Sequence, residues 1–258
     1  MSPAFTVSSM SSRLMLVNSV HNCFTGAMTH ELLVAAASDV GLRREHNEDA
    51  YFAGPDLQAV ADGMGGHALG EVASAIAIDV LESFAGDLSD AVLEISRRLN
   101  SEVPEGTGTT LTAMRWDGLT FQLAHIGDSR AYLLRDGVLH QLSHDHTMVQ
   151  ALVDAGRMTP EEALNHPRRA YVIKVLQSGA AHSPDISVHE ARPGDRYLLC
   201  SDGLTDYVSI EDVGSTLVSF EDGSEAAWRL VALANGNGGP DNITCVITDV
   251  VRRPWFRR

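Results

Sequence analysis

The segment AVADGMGGHALGEVAS, residues 59–74, decides the fold and contains the first candidate site. Its apolar run ends at Asp62, a glycine-rich turn follows, and helical periodicity begins near Gly70. Because glycines free the backbone of such a turn, its N–H groups could hold an anion, whereas Asp62 could hold a cation. The segment by itself leaves both alternatives open.

The composition is that of one globular domain with an acidic surface. The chain has 258 residues, 44% of them hydrophobic, and a formal net charge of −15. This charge argues against a nucleic-acid partner, because phosphates require a basic surface. It fits a protein that gathers carboxylates around cations, although an acidic surface kept for solubility also explains it.

The cysteines and the hydropathy pattern favour a reducing compartment and no membrane span. Cys23, Cys200 and Cys245 are odd in number and form no CxxC pair, so they predict neither a disulfide framework nor a zinc site. Cys200 and Cys245 lie in strand-like runs and are predicted to be core thiols. No apolar run approaches the ~20 residues that span a bilayer. We expect a cytoplasmic monomer that binds neither membrane nor nucleic acid.

The domain boundaries follow from where the patterning begins and ends. We expect residues 1–30 to be a disordered extension, of which 1–27 could instead result from a start codon placed too early. Residues 31–251 form the predicted domain, and 252–258 a short tail.

The first part of the domain alternates strands and helices. Ser89 is expected to cap the second helix. The predicted elements are strands at 31–37, 50–53 and 57–61, a helix at 71–84 and a helix from Ser89 to about Leu99.

The middle of the chain predicts two hairpins. Asp117-Gly118 and Asp136-Gly137 each separate two strand-like runs and indicate type I′ turns. Antiparallel hairpins argue against a doubly wound parallel sheet, and so against a dinucleotide-binding fold.

A helical insertion follows, predicted as a flap at about 147–180. Gly156 ends its first helix, and Thr159 to Glu162 form a capping box with Pro160 at the first helical position. The remaining predicted elements are strands at 185–190, 195–200 and 243–249 and helices near 210–219 and 225–235. The sum is a mixed α+β domain.

Four aspartates stand where apolar strands begin or end. Asp62, Asp128 and Asp202 follow such runs beside small residues, and Asp241 precedes one. A single aspartate of this kind is most simply a turn residue. Four together favour a cluster for hard cations such as Mg²⁺ or Mn²⁺, which prefer carboxylate oxygens.

Six segments, in this order, resemble the metal-dependent Ser/Thr protein phosphatases, also called the protein phosphatase 2C family, and its bacterial branch most closely. They cover nearly all of residues 31–250. The segments are SDVGLRREHNEDA (38–50), AVADGMGGHALGEVAS (59–74), GTGTTLTA (106–113), AHIGDSRAYLLRDG (124–137), YLLCSDGLTD (197–206) and GPDNITCVI (239–247).

The resemblance implies a four-layer αββα sandwich with two central antiparallel sheets and a site for two Mn²⁺ or Mg²⁺ ions. Asp62 would bridge the two ions, with the Gly63 carbonyl on one of them. Asp202 and Asp241 would hold the other ion, and Glu48 would lie near the first through water.

The resemblance also implies roles around this pair of ions. Asp128 would join Asp202 at a third metal site, and Arg44 would grip the substrate phosphate. Animal members carry a histidine directly after the Asp-Gly pair, but Met64 stands there. His67, further along the turn, is the candidate general acid.

The implied activity is hydrolysis of phosphoserine and phosphothreonine in proteins by a metal-activated water, reversing a cognate bacterial Ser/Thr kinase. A catalytically silent phosphopeptide-binding protein, a nucleotide-binding GMGG turn and a metal-dependent nuclease are the alternatives. His140, His144 and His146 have no Cys or Glu partner at zinc-site spacing and are interpreted as loop and strand-end residues.

Overall fold

The computed structural model describes residues 30–65 and 68–252, which fold into two antiparallel sheets packed face to face with helices outside each. The layers run helix, sheet, sheet, helix, as predicted. The segment 1–29 lies outside the described residues, as do 253–258. His30 and Arg252, each one residue outside the predicted range 31–251, belong to strands.

The first sheet brings the start of the domain beside its end. Its longest strands, β1 and β12, pair over ten residues, from His30 with Arg252 to Asp39 with Ile243. The strands in spatial order are β1 (His30–Asp39), β12 (Ile243–Arg252), β11 (Arg196–Cys200), β7 (Arg130–Arg135) and β8 (Val138–Gln141).

The second sheet is built around β3, the strand that carries Asp62. β2 (Asp49–Ala53) pairs with β3 outside the main path of the sheet. The strands in spatial order are β10 (Asp185–Glu190), β6 (Thr120–Ile126), β5 (Leu111–Trp116), β3 (Leu57–Met64), β4 (Gly108–Thr109) and β9 (Leu176–Gln177).

Apolar faces hold the layers together. Between the sheets, the rings of Phe121 and Tyr197 pack with their centroids 4.8 Å apart and their planes tilted by 59°, inside a core of buried aliphatic side chains. Two further cores lie under the outer helices. The helices are α1 (Ala68–Ser83) and α2 (Leu88–Glu102) on the second sheet, α3 (Met148–Asp154) and α4 (Pro160–Leu164) in the flap, and α5 (Asp202–Thr205), α6 (Ile210–Ser219) and α7 (Gly223–Gly236) on the first.

One of the two predicted hairpin turns is confirmed. Asp136 and Gly137 have φ of 53° and 78° between directly paired strands, which is the type I′ pattern. The type I′ prediction for Asp117-Gly118 is wrong. The N–H of Asp117 donates to the carbonyl of Thr120, so the two central residues are Gly118 and Leu119. Asp117 instead accepts hydrogen bonds from the N–H groups of Leu119 and Thr120.

The predicted cap of α2 is also wrong. Asp87 is the N-cap, and its carboxylate accepts the N–H of Ser89 at 2.7 Å. Asp87 is a better N-cap than Ser89, because its carboxylate also interacts favourably with the helix dipole. The capping box of α4, from Thr159 to Glu162, is present as predicted.

None of the described helices is both long and apolar enough to cross a membrane. Cys200 and Cys245 are buried and unpaired, as predicted, and they face each other across β11 and β12. Burial raises the pKa of the Cys200 thiol to about 12. Cys23 lies outside the described residues.

Candidate metal centre

Asp62 lies near the end of β3 and its backbone is held on both sides. Its N–H donates to Thr110 Oγ1 at 3.0 Å, and its carbonyl accepts the Thr109 hydroxyl at 2.9 Å. Across the strand pair, Asp62 faces Asp49 of β2. Three tied strands therefore fix the direction of the Asp62 carboxylate.

Gly63 allows a loop and a helix to approach this strand end. Its N–H donates to the Glu48 carbonyl at 3.1 Å, and a methyl group in its place would overlap the carbonyl of Gly70. The Glu48 carboxylate lies against Gly70 at the start of α1. Gly63 and Gly70 are therefore required by close packing around Glu48 and Asp62.

Asp202 and Asp241 are held near each other by the contact of the following residues, Gly203 and Asn242. Asp202 is the first residue of α5, directly after β11, and a methyl group on Gly203 would overlap the Asn242 carbonyl. The Asn242 side chain accepts the Glu48 N–H at 2.8 Å and donates to the His46 carbonyl at 2.9 Å. This asparagine thereby ties the loop of Glu48 to that of Asp241.

Asp128 follows β6 and the turn at Gly127. Gly127 has φ of +113°, a value that favours glycine, and a methyl group there would overlap Thr110. The Asp128 side chain is only 7% exposed. It is brought close enough to Asp202 for the two charges to repel.

Burial and mutual repulsion change the acidity of the cluster. Burial, together with the charges of Asp49, Asp202 and Asp128, raises the pKa of Asp62 well above its ordinary value. The pKa of Asp128 is also raised well above its ordinary value, mainly by burial and then by the charge of Asp202. Burial is also the main cause that raises the pKa of Asp202 to about 6 and of Asp49 to about 7. Gathered carboxylates of this kind cost free energy unless a cation balances them.

The residues fit divalent cations by charge and by ligand type. Asp49 Oδ1 is buried without a hydrogen-bond partner, although Oδ2 accepts the Ser201 hydroxyl at 2.7 Å. Over residues 30–65 and 68–252, no three His, Cys, Asp or Glu side chains converge on a point where they alone would hold an ion. The oxygen-only donors Asp62, Asp202, Asp241 and the Gly63 carbonyl, completed by water, suit Mg²⁺ or Mn²⁺, which commonly keep water ligands.

Arg44 lies at the rim of the carboxylate cluster. Its Nη2 donates to Asp241 Oδ2 at 2.8 Å, and its side chain is 47% exposed. An exposed guanidinium at this distance can reach an anion entering the site while it remains close to Asp241. The neighbouring Arg43 is exposed on the same loop.

The structure thus brings the predicted carboxylates Asp62, Asp128 and Asp202 to one end of the two sheets, with Asp241 and Arg44 at the rim. Glu48 lies on the α1 side of Asp62. His67 lies outside the described residues. Sequence reasoning missed Asn242 as a tie between loops, although its place directly after Asp241 and before a strand was the available signal.

Comparisons with known proteins show which family the chain resembles. A family model described as protein phosphatase 2C matches residues 43–234. The chain is 49% identical over 238 residues to the serine/threonine protein phosphatase PstP of Mycobacterium tuberculosis, covering 87% of this chain and 46% of that protein. The chain therefore spans about half the length of this relative.

Shorter relatives and solved structures match over nearly their whole length. The serine/threonine phosphatase stp of Listeria welshimeri is 37% identical over 236 residues, covering 82% of this chain and 93% of that protein. The solved catalytic domain of serine threonine protein phosphatase PstP, in complex with two manganese ions, superposes with a TM-score of 0.80. It is 47% identical and covers 86% of this chain and 100% of that chain.

Proposed function

The chain belongs to the protein phosphatase 2C family, and from this premise we propose that it is a Mn²⁺- or Mg²⁺-dependent protein phosphatase that hydrolyses phosphoserine and phosphothreonine. The observation that carries the proposal is the cluster of partly buried, mutually repelling carboxylates beside the exposed guanidinium of Arg44. Such a cluster needs cations, and the guanidinium suits a phosphate.

The carboxylates would hold two ions, and the proposed ligands are Asp62, the Gly63 carbonyl, Asp202 and Asp241. Asp128 would serve a third ion with Asp202, and Glu48 would contribute through water. When bound, two divalent cations would offset the charge of a phosphate dianion and lower the pKa of a water between them.

The protein's own residues orient the substrate. Arg44 offers paired donors that match two phosphate oxygens, a geometry that lysine cannot reproduce. Its present partner is Asp241 at 2.8 Å, so the same guanidinium can exchange a carboxylate for a phosphate oxygen. The leaving serine or threonine oxygen needs a proton, which we assign to His67 or to water.

The proposed substrates are phosphorylated proteins produced by a cognate Ser/Thr kinase. PstP, stp and related proteins bear the name Ser/Thr phosphatase, which supports this substrate class. We also propose a monomer in the cytoplasm. The free thiols of Cys200 and Cys245 support a reducing compartment.

The test is phosphate release from a phosphothreonine peptide with Mn²⁺, with Mg²⁺ and after EDTA. Asp202→Asn should abolish release, since it removes one charge from the cluster without changing side-chain size. Asp136→Asn, an exposed aspartate in a hairpin turn, is the matched control and should keep wild-type activity. Undiminished release in EDTA, or none from folded wild-type protein with either metal, would contradict the proposal.

A further inference from the structure

The segment 143–146, of sequence SHDH, runs beside the turn that carries Asp128. His146 contacts the residue before Asp128 twice. Its N–H donates to the Gly127 carbonyl at 2.7 Å, and the Gly127 N–H donates to His146 Nδ1 at 3.1 Å. One residue therefore satisfies both backbone polar groups of Gly127.

Gly127 needs such an external constraint. Its φ of +113° and its close approach to Thr110 require glycine, the residue with the most backbone freedom. The direction of the Asp128 carboxylate depends on this backbone. A contact that holds Gly127 therefore also positions Asp128.

The other ring nitrogen of His146 is committed elsewhere. Because Nδ1 accepts a hydrogen bond, the neutral ring carries its hydrogen on Nε2, which lies 3.2 Å from Asp185 Oδ2. The ring also stacks on His125, with centroids 5.1 Å apart. His146 is thus fixed in one orientation between β6 and β10.

Asp185 binds both ends of the flap. Lys174, the sole lysine of the chain, places Nζ 2.9 Å from Asp185 Oδ1. The His146 carbonyl accepts the Ile173 N–H at 2.8 Å, and Thr147 is the N-cap of α3. His146 therefore lies where the flap leaves the domain, and Ile173 and Lys174 lie where it returns.

We propose that His146 is a positioning residue, whose ring fixes the turn of Gly127 and Asp128 at the point where the flap leaves the domain. The inference rests on the proposed function, because Asp128 acts in that function as a metal ligand.

Two conservative variants separate the two contacts of the ring. In His146→Asn, the amide oxygen takes about the place of Nδ1 and keeps the bond to Gly127, but cannot reach Asp185. In His146→Gln, the amide takes about the place of Nε2 and keeps the contact with Asp185, but leaves the Gly127 N–H without its acceptor. His144→Ala is the control, since that half-exposed ring pairs with Asp154 of α3 at 2.7 Å.

Three measurements on the full chain test the proposal. Hydrogen exchange of the Gly127 amide in metal-free protein reports the contact itself. Calorimetric titration with Mn²⁺ reports the affinity of the site, and kcat and KM are measured with a phosphothreonine peptide. The melting temperature of each variant reports whether it folds.

His146→Gln should speed exchange of the Gly127 amide about tenfold, weaken Mn²⁺ binding about tenfold and lower kcat about tenfold, since one hydrogen bond is lost. KM should change little, because Arg44 is untouched. His146→Asn should stay near wild type in all three measurements, as should His144→Ala.

Wild-type exchange, Mn²⁺ affinity and kcat in His146→Gln would overturn the proposal, as would equal impairment in His146→Asn. If the wild-type protein hydrolyses nothing, the proposed phosphatase function fails. Amide exchange and Mn²⁺ affinity would still decide whether His146 positions the turn.

Discussion

Arg44 is the single side chain on which substrate binding should depend most. Removing it in Arg44→Ala should lower kcat/KM for a phosphopeptide by about tenfold to a hundredfold, the range expected for a lost hydrogen bond to a charged group. Steady-state kinetics at saturating Mn²⁺ measure the change. Arg43→Ala removes the same charge from the adjacent exposed position and should leave kcat/KM within about twofold. An equal loss of kcat/KM in both variants would show a general effect of charge and no specific binding of the phosphate by Arg44.

Asp49 should make the stability of the metal-free protein depend on pH. Burial is the main cause that raises its pKa to about 7, so the folded state binds this proton more tightly than the unfolded state does. The stabilising contribution is therefore complete below about pH 4 and is lost as the pH rises through about 7. In EDTA, the free energy of unfolding of Asp49→Asn minus that of wild type should therefore rise from pH 5 to pH 8.

Urea unfolding at several pH values measures that difference. Asp136→Asn replaces an exposed aspartate and should show a constant difference from wild type over the same range. A constant difference for Asp49→Asn as well would mean that Asp49 is ionised in the folded protein at pH 5.

The aspartates of the candidate metal centre were predictable from the sequence, because an aspartate directly after an apolar run marks the end of a strand. Asp62 and Asp202 each end an apolar run, and strand ends on one side of a sandwich meet. The sequence could not predict the role of Asn242 or His146. Asn242 contacts Glu48, which is 194 positions away, and His146 contacts Gly127 through a turn whose geometry only the folded chain defines.

The N-cap of α2 shows how an element boundary can be tested. Asp87→Ala should lower the free energy of unfolding by about 1 kcal/mol, because the first turn of the helix loses its cap. Ser89→Ala should change it by less than about 0.5 kcal/mol, since the Ser89 N–H that the Asp87 carboxylate binds is kept. Urea unfolding at pH 7 measures both, and a larger loss in Ser89→Ala would restore Ser89 as the cap.

Boundaries such as this were the least predictable part of the fold. Asp87 and Ser89 are both residue types that favour the N-cap position, and Asp87 occupies it. Asp117-Gly118 has the composition of a type I′ turn, yet the pairing of Trp116 with Phe121 shifts the turn by one residue. Local sequence therefore determined that an element occurs, and long-range pairing determined its register.

The flap should loosen when its two ends are released together. Asp185→Ala removes the partner of both His146 and Lys174, so trypsin should cleave inside the flap faster, by about threefold for one partly exposed ion pair and one hydrogen bond. Arg157, Arg168, Arg169 and Lys174 are the cleavage sites within the flap. Asp154→Ala is the control, since it removes the pair with His144 and the hydrogen bond from Gln150 but neither contact of Asp185. Unchanged cleavage in Asp185→Ala would show that the ends of the flap are held by backbone contacts alone.

The architecture of the whole molecule was predictable because several features of the sequence agree. The hairpin signals predicted antiparallel sheets, and the amphipathic patterns predicted helices. The six motifs in family order predicted the four-layer sandwich. The short strands β4 and β9, of two residues each, were not predictable. Their pairing depends on the return of the flap to the edge of the second sheet.

The central claim is that the carboxylate cluster binds the divalent cations that hydrolysis requires. We would titrate Mn²⁺ into metal-free protein and measure bound metal and phosphate release from a phosphothreonine peptide on the same samples. We expect release to rise with occupancy and to approach its maximum at two ions per chain, and Asp202→Asn to lose both the binding and the release. Full release from the chelated protein, or two tightly bound ions without any release, would contradict the claim.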